Sequence, residues 1–156
     1  MISLRRIEIK DFQQLSELFT LVYTTFDVGE KWNPKAADTY LHYIYDRNPD
    51  LAFLVEEEGV IFGAALSYIK PWWDGNYLFE GEVFVHPDLQ KRGIGSQLLK
   101  KLFEEAIEKY DVTNWDASTF ADREFPLRWY KSLGFNEVKN WVIIRGNIRE
   151  ALKRLP

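Results

Sequence analysis

The chain contains no cysteine, a single methionine and two histidines in 156 residues. Without cysteine there is no disulfide, no thiolate nucleophile and no thiolate metal ligand, and a reducing compartment is permitted. His42 and His86 stand alone, with no second histidine at ligand spacing, so no metal site is expected. No apolar run approaches the roughly 18 residues that a membrane span needs. The opening residues, MISLRRIEIK, put charges where a signal peptide has its apolar core. Positive charge is also short: 20 Lys and Arg stand against 24 Asp and Glu, a net charge of −4. That balance argues against a nucleic-acid-binding surface. The expectation is a cytoplasmic protein with no membrane or nucleic-acid partner.

Apolar residues make up 46% and charged residues 28%, proportions of a folded globular chain rather than a disordered one. At this length a single domain spanning 1–156 is expected. Aromatics are plentiful, with six Trp, eight Tyr and eleven Phe. The most informative stretch runs from Val83 to Leu99, VFVHPDLQKRGIGSQLL. Val83, Phe84 and Val85 read as the end of a strand that Pro87 terminates, since proline cannot donate to a ladder. Gln90, Lys91 and Arg92 then lead into Gly93-Ile94-Gly95 and a long helix. Glycines at a helix start allow a tight turn and close approach of a ligand, and the first N–H groups converge where the helix dipole is positive. Such a junction holds an anion, most naturally a phosphate or pyrophosphate. A P-loop would need Gly-x-x-x-x-Gly-Lys-Ser/Thr, which is missing, and a dinucleotide fingerprint would need a small residue at Leu98. A glycine turn with a solvated basic loop is the plain alternative.

The remaining elements follow from periodicity. A strand is expected over Ile2 to Ile9, then a helix capped by Asp11 and Gln14 that carries Phe12, Leu15, Leu18, Phe19, Val22 and Phe26 on one face. Asn33-Pro34 starts a second helix with Ala37, Tyr40, Leu41, Ile44 and Tyr45 as its stripe. Leu51 to Glu56 and Val60 to Ile69 read as antiparallel strands, Lys70 to Asn76 as a loop, and Tyr77 onward as a fourth strand. The helix after Gly95 buries Leu98, Leu99, Leu102, Phe103, Ala106, Ile107 and Tyr110, leaving Glu104, Glu105 and Glu108 outside. Thr113 to Phe120 should be a fifth strand and Pro126 to Leu133 a helix closed by Gly134. Phe135 to Val138 and Trp141 to Arg145 read as two last strands, before a short helix with Ile148, Leu152 and Leu155.

Gln90-Lys91-Arg92-Gly93-Ile94-Gly95 resembles the acyl-CoA-binding signature Gln/Arg-x-x-Gly-x-Gly/Ala of the GNAT superfamily of N-acetyltransferases. Arg128-Trp129-Tyr130-Lys131-Ser132-Leu133-Gly134-Phe135 resembles that family's aromatic-Tyr-x-x-Leu-Gly-Phe signature, and the order β-α-α-β-β-β-α-β-α-β-β matches its fold. The resemblance implies an α/β (α+β) acyl-CoA N-acyltransferase fold, with a mixed, mostly antiparallel sheet of six to seven strands flanked by about four helices. It further implies acetyl-CoA as co-substrate, held by Val83, Phe84 and Val85, by Gln90 to Ser96 (Gln90, Lys91, Arg92, Gly93, Ile94, Gly95, Ser96), and by Tyr130. Tyr130 stands where the family places a tyrosine facing the CoA sulfur. A phenol near pKa ~10 is matched to a thiolate whose acid lies near ~8.5, which suits general-acid catalysis. Core packing is its other reading.

The acceptor amine must lose a proton before attack, so a base is expected. Glu80 and Glu82 on the fourth strand are the candidates, with Asp116 on the fifth, and each could equally be a solvated carboxylate. Aromatic and acidic residues, Trp32, Trp72, Trp73, Glu80 and Asp116, are candidate walls for an acceptor, which would suit a cationic small molecule. Two departures from the family pattern stand out: Arg123 where Asn often precedes the tyrosine by seven residues, and Ser118 where protein-N-terminal acetyltransferases often carry Glu. A protein acetyltransferase, transfer of a longer acyl chain, a catalytically silent CoA-binding regulator and an interaction module that keeps the fold remain alternatives. A homodimer is compatible with the sequence.

Overall fold

The structure, a computed structural model, describes residues 2–156, which form two compact units that divide between Ser118 and Thr119. The first holds a five-stranded sheet in sequential order: β1 (Ser3–Arg6), β2 (Ala52–Glu57), β3 (Val60–Trp72), β4 (Gly75–Val85) and β5 (Val112–Asp116). The first four strands pair antiparallel; β5 returns parallel to β4 through a helical crossover, as parallel neighbours must.

Side-chain alternation sends Ala52, Leu54, Ala64, Leu66 and Phe84 to one face of the sheet. There they bury against α1 (Phe12–Phe26) and α2 (Pro34–Tyr45). Asn33 caps α2, its carboxamide oxygen accepting from the Ala36 N–H at 3.0 Å. The other face carries α3 (Ile94–Tyr110), which buries Leu98, Leu99, Leu102 and Ala106. The α3 stripe is turned relative to the sequence reading. Ile107 is exposed, while Glu105 is buried and held by Arg6, Lys101 and Lys109. Three cations make that burial tolerable and hold the Glu105 pKa below the usual carboxylate range, the Lys109 hydrogen bond first among the causes.

Asp11 does not cap α1. Its carboxylate is taken by Arg5, at 2.7 and 2.9 Å, and by the Glu8 N–H, in a capping box that opens the short turn before the helix. The Gln14 carboxamide instead donates to the Gly59 carbonyl oxygen and accepts from the Ile61 N–H. The expected 70–76 loop is also shorter than read. β3 runs on to Trp72, and a two-residue turn at Trp73-Asp74 leads directly into β4. Pro71 is accommodated because β2 pairs only as far as Leu66, so this end of β3 has no β2 neighbour.

The second unit contains α4 (Glu124–Ser132) and α5 (Ile148–Leu152). Phe125 departs from helical geometry, so regular turns begin at Pro126, and Gly134 follows the helix at φ +94°. The two last strands are not formed. Phe135 to Val138 and Trp141 to Arg145 lie outside any ladder, and Trp141, Val142, Ile143 and Ile144 are exposed. Trp141 to Ile144 is a continuous apolar run without alternation, and a strand exists only where a neighbour takes up its backbone groups. Among the described residues the sheet therefore has five strands, not six or seven. Among the described residues no helix is long and apolar enough to cross a membrane.

The β3–β4 ladder carries an irregularity that re-aims side chains on β4. Leu66 lies opposite Glu82 and Tyr68 opposite Phe79, so two steps on β3 match three on β4, a β-bulge at Glu80-Gly81. Glu80 sits at φ +47° and Gly81 at φ +110°. A Cβ on Gly81 would stand 2.3 Å from the Leu66 carbonyl oxygen. Gly81→Ala is expected to cost about 2–4 kcal/mol through clash and strain together. Gly29→Ala, at φ +79° in open space, should cost only about 1 kcal/mol. Urea unfolding of the two variants measures the difference; equal midpoints would contradict the need for glycine at 81.

Candidate active site

The bulge is pinned from both sides. Ser67 Oγ donates to the Glu80 carbonyl oxygen at 2.8 Å, and Trp115 Nε1 donates to the same oxygen at 3.0 Å. By interrupting alternation, it aims the two candidate carboxylates at different partners. Glu80 accepts from the Ser118 hydroxyl at 2.8 Å and the Ser118 N–H at 3.2 Å, just past β5. Ser118, which stands where protein-N-terminal acetyltransferases often carry Glu, thus serves here as a donor to the β4 carboxylate. Glu82 turns to the α1–α2 face and accepts from Tyr23 Oη at 2.5 Å and Tyr40 Oη at 2.9 Å.

Tyr23 and Tyr40 were not among the sequence candidates. Their signal was there: phenols at core-facing helix positions, one turn after Phe19 on α1 and between Ala37 and Leu41 on α2, need partners for their hydroxyls. Around them Phe19 packs on Tyr23 at 4.4 Å, on Tyr40 at 5.9 Å, on Trp32 at 5.0 Å and on Phe84 at 5.3 Å between ring centroids. Glu82 lies half-buried above this aromatic floor. Desolvation pushes its pKa up to about 7, assisted by the nearby Glu30 and Glu80 charges, while the Tyr23 and Tyr40 hydrogen bonds pull the other way. Burial and the same carboxylate raise the Tyr40 phenol well above its ordinary range, so it stays a donor.

β4 is also where the sheet opens. Its ladder with β5 covers Asn76 to Phe79 and ends there. The His86 N–H donates to the Phe62 carbonyl oxygen on the β3 side at 2.7 Å. Since successive residues of a strand face opposite edges, Val83 and Val85 present their N–H and C=O groups away from β3, along the edge that β5 has left. Gln90 closes the lower end of this edge, its Nε2 donating to the Val85 carbonyl oxygen at 3.0 Å. The Phe84 side chain is buried core on the opposite face from Val83 and Val85. His86 Nδ1 accepts from the Asp88 N–H, which makes it a turn cap.

The loop below fits an anion. Lys91 at φ +61° and Gly93 at φ +80° are both left-handed, and Gly93 is the N-cap of α3 with no side chain to occupy the first N–H groups. Ile94 is buried and anchors the first turn, whereas Lys91, Arg92, Gly93 and Ser96 are exposed and Gly95 is half-buried. A phosphate there would meet helix N–H groups, the dipole and two cations.

The acceptor candidates are placed differently from one another. Trp32 is packed inward against Phe19 and Tyr40, and its Nε1 donates to Glu30 at 2.6 Å. The Lys70 ammonium lies 4.0 Å over the Trp72 ring. Trp73, at the hairpin turn, is 86% exposed. Asp116, the last residue of β5, is half-buried opposite Phe79. Tyr130 lies on α4 in the second unit, its ring 5.2 Å from Trp129 and 6.0 Å from Phe135.

A raised carboxyl pKa has a stability consequence of definite sign. Between the unfolded value near ~4.3 and the folded value near 7 the native state binds more protons, so stability falls as pH rises through this window. Glu82→Gln keeps the shape and removes the charge. At pH 8 the variant is expected to be more stable than the wild type, by up to about 3 kcal/mol less whatever solvation its half-buried carboxylate retains. The gap should close on lowering the pH toward 4.5. Thermal unfolding across pH measures it, and a gap that does not change with pH would contradict the placement of Glu82.

Comparison with known proteins agrees with this geometry. The acetyltransferase (GNAT) family profile matches residues 12–135. An N-acetyltransferase of Methanocaldococcus jannaschii is 28% identical over 90% of the chain, and an L-amino acid N-acyltransferase of Escherichia coli is 31% identical over 67%. The chain spans a little under two thirds of those proteins, 64% and 63% of their lengths. A Clostridium acetobutylicum protein, described as a predicted acetyltransferase and solved with acetyl-CoA, superimposes with a TM-score of 0.72 at 20% identity. That alignment covers 96% of this chain and 98% of the other. The profile match takes in both the Gly93–Gly95 loop and the Tyr130 signature, and the chain belongs to the GNAT family of acetyltransferases.

Proposed function

We infer that the chain moves an acetyl group from acetyl-CoA to a primary amine by direct attack, with Glu82 as the general base. The observation that carries the reading is the Glu82 carboxylate itself. It is held by two phenols, with a pKa near 7, beside the edge of β4 from which β5 has diverged. A base titrating near the working pH is both ionised and basic enough to take a proton in the transition state.

A free amine near pKa ~10 arrives protonated. Glu30, Glu80 and Glu82 make one end of the site acidic and draw the ammonium in; Glu82 then removes its proton, directly or through one water. Acetyl-CoA supplies the thioester carbonyl, and the Val83 N–H on the open edge donates to the carbonyl oxygen as charge develops. The α3 N-terminus, with Lys91 and Arg92, takes the pyrophosphate. Tyr130 protonates the departing thiolate; support for its role comes from the Trp129-Tyr130 to Gly134-Phe135 signature. The acceptor is a small amine rather than a protein N-terminus, a choice supported by Ser118 standing in place of the Glu of protein-N-terminal acetyltransferases and by the L-amino acid N-acyltransferase among the relatives.

Glu82→Gln is expected to lower kcat by ~10²–10⁴ while leaving acetyl-CoA affinity little changed. In the wild type kcat/KM should rise with pH through an apparent pKa near 7. Tyr130→Phe, which removes only the hydroxyl, should lower thiol release by a similar factor. Thiol-release kinetics over an amine panel, with calorimetry for acetyl-CoA, measure all three. A silent regulator would bind acetyl-CoA and show no turnover, and a Glu82→Gln variant at the wild-type rate would remove Glu82 as the base.

A further inference from the structure

Beyond the Glu82 end, the same face of the sheet carries a feature of opposite charge. An open cavity of about 520 Å³ lies between the end of α2 and the β3–β4 hairpin, walled by Tyr43, Arg47, Tyr68, Lys70 and Phe79 among others. Two cations converge on it, and aromatic rings hold both. The Arg47 guanidinium lies 3.6 Å over the Tyr43 ring and 5.0 Å from that of Tyr68. The Lys70 ammonium lies 4.2 Å from the Phe79 ring centroid and 4.0 Å from that of Trp72. Among the described residues neither cation has a carboxylate within ion-pair distance, whereas Arg5, Arg6, Lys101, Lys109 and others do. The exposed Arg47 guanidinium donates from one terminal nitrogen to the Tyr43 carbonyl oxygen, and its other edge donors are left for a planar acceptor.

Register sets how far this cavity is from the base. Tyr40 touches Glu82, Tyr43 lies one turn further along α2, and Arg47 follows in the turn just past the helix end at Tyr45, its N–H donating to the Ile44 carbonyl oxygen. From Tyr40 to the last residue of α2, Tyr45, is about 7.5 Å along the axis, and Arg47 lies beyond that end. On the sheet the steps agree, since Leu66 faces Glu82 and Tyr68, two residues on, faces Phe79. The cavity's own walls include the rings of Tyr43, Tyr68 and Phe79, which suit a hydrocarbon chain.

We propose that the Arg47–Lys70 cavity is the distal half of the acceptor site and binds a carboxylate, so that the acceptor is an ω-amino acid. Its amine lies at Glu82, its methylene chain crosses Tyr43, Tyr68 and Phe79, and its carboxylate is held by Arg47 and Lys70. The assignment rests on Glu82 marking the amine end. An α-amino acid, whose two groups are neighbours, cannot span the interval, and a diamine would put a second ammonium against two cations.

Three ligands of six carbons each separate the possibilities: 6-aminohexanoate, hexylamine and 1,6-diaminohexane. Calorimetry on the CoA-loaded protein, which has no acetyl group to transfer, is expected to show 6-aminohexanoate binding at least tenfold tighter than either other amine. In thiol-release kinetics its KM should be lower by a similar factor. Arg47→Gln combined with Lys70→Gln should erase the preference, bringing 6-aminohexanoate to the level of hexylamine with unchanged acetyl-CoA affinity. Equal binding of the three ligands, or a preference that survives the double substitution, would overturn the proposal. Turnover of all three amines with no carboxylate preference would refute the cavity assignment and leave the acetyltransferase reading intact. Tight 6-aminohexanoate binding that depends on Arg47 and Lys70, without turnover of any amine, would do the reverse.

Discussion

The site depends on one backbone constraint, the close passage of Gly81 beneath the Leu66 carbonyl. Without a side chain, Gly81 can take φ +110° and lie where any Cβ would collide with β3. The extra residue this admits into β4 reverses what alternation would dictate. Glu82 and Phe84 share the α1–α2 face, while Glu80 is turned toward Ser118 at the end of β5. Ser67 and Trp115 hold the distortion by donating to the one carbonyl oxygen that the bulge turns out. The added twist of a bulge also accords with the end of the β4–β5 ladder at Phe79, just before it. One irregularity therefore orients a carboxylate and borders an open strand edge.

A carboxylate above an aromatic floor is an expensive arrangement, and two phenols keep it within bounds. Burial favours the protonated acid, hydrogen bonds from Tyr23 and Tyr40 favour the anion, and the balance lies at about 7. Contrast Asp11 and Glu105, which are more completely covered yet have depressed pKa values, because Arg5 in one case and three cations in the other face them directly. The chain thus pairs its structural acids with cations and gives Glu82 only neutral donors. That difference separates an acid that merely holds the fold from one that can exchange a proton.

How much of this was legible in the sequence depends on how local each signal is. Gly93-Ile94-Gly95 and Asn33-Pro34 are written in consecutive residues, and a helix starts at each, α3 opening at Ile94 rather than after Gly95. That Glu80 and Glu82 face different partners was not legible, because a bulge is a relation between two strands, visible only once Leu66 and Tyr68 are set against β4. Asp11 was misread for a similar reason: Arg5 and the Glu8 N–H outcompete the α1 terminus for its carboxylate. Phe135 to Val138 and Trp141 to Arg145 have the composition of strands, but pairing is not encoded by composition. Tyr23 and Tyr40 were hidden among helix core positions, where a phenol and a phenylalanine follow the same periodicity.

The central claim is that this fold keeps one carboxylate, Glu82, poised to exchange a proton at neutral pH. Its titration can be followed directly by the carbon-13 chemical shift of the Glu82 carboxyl, assigned by comparison with the Glu82→Gln variant. The account predicts a midpoint near 7, moving higher when Tyr23 or Tyr40 is replaced by Phe and a hydrogen bond to the anion is lost. A midpoint near the ordinary glutamate value of ~4.3, unmoved by either substitution, would contradict it.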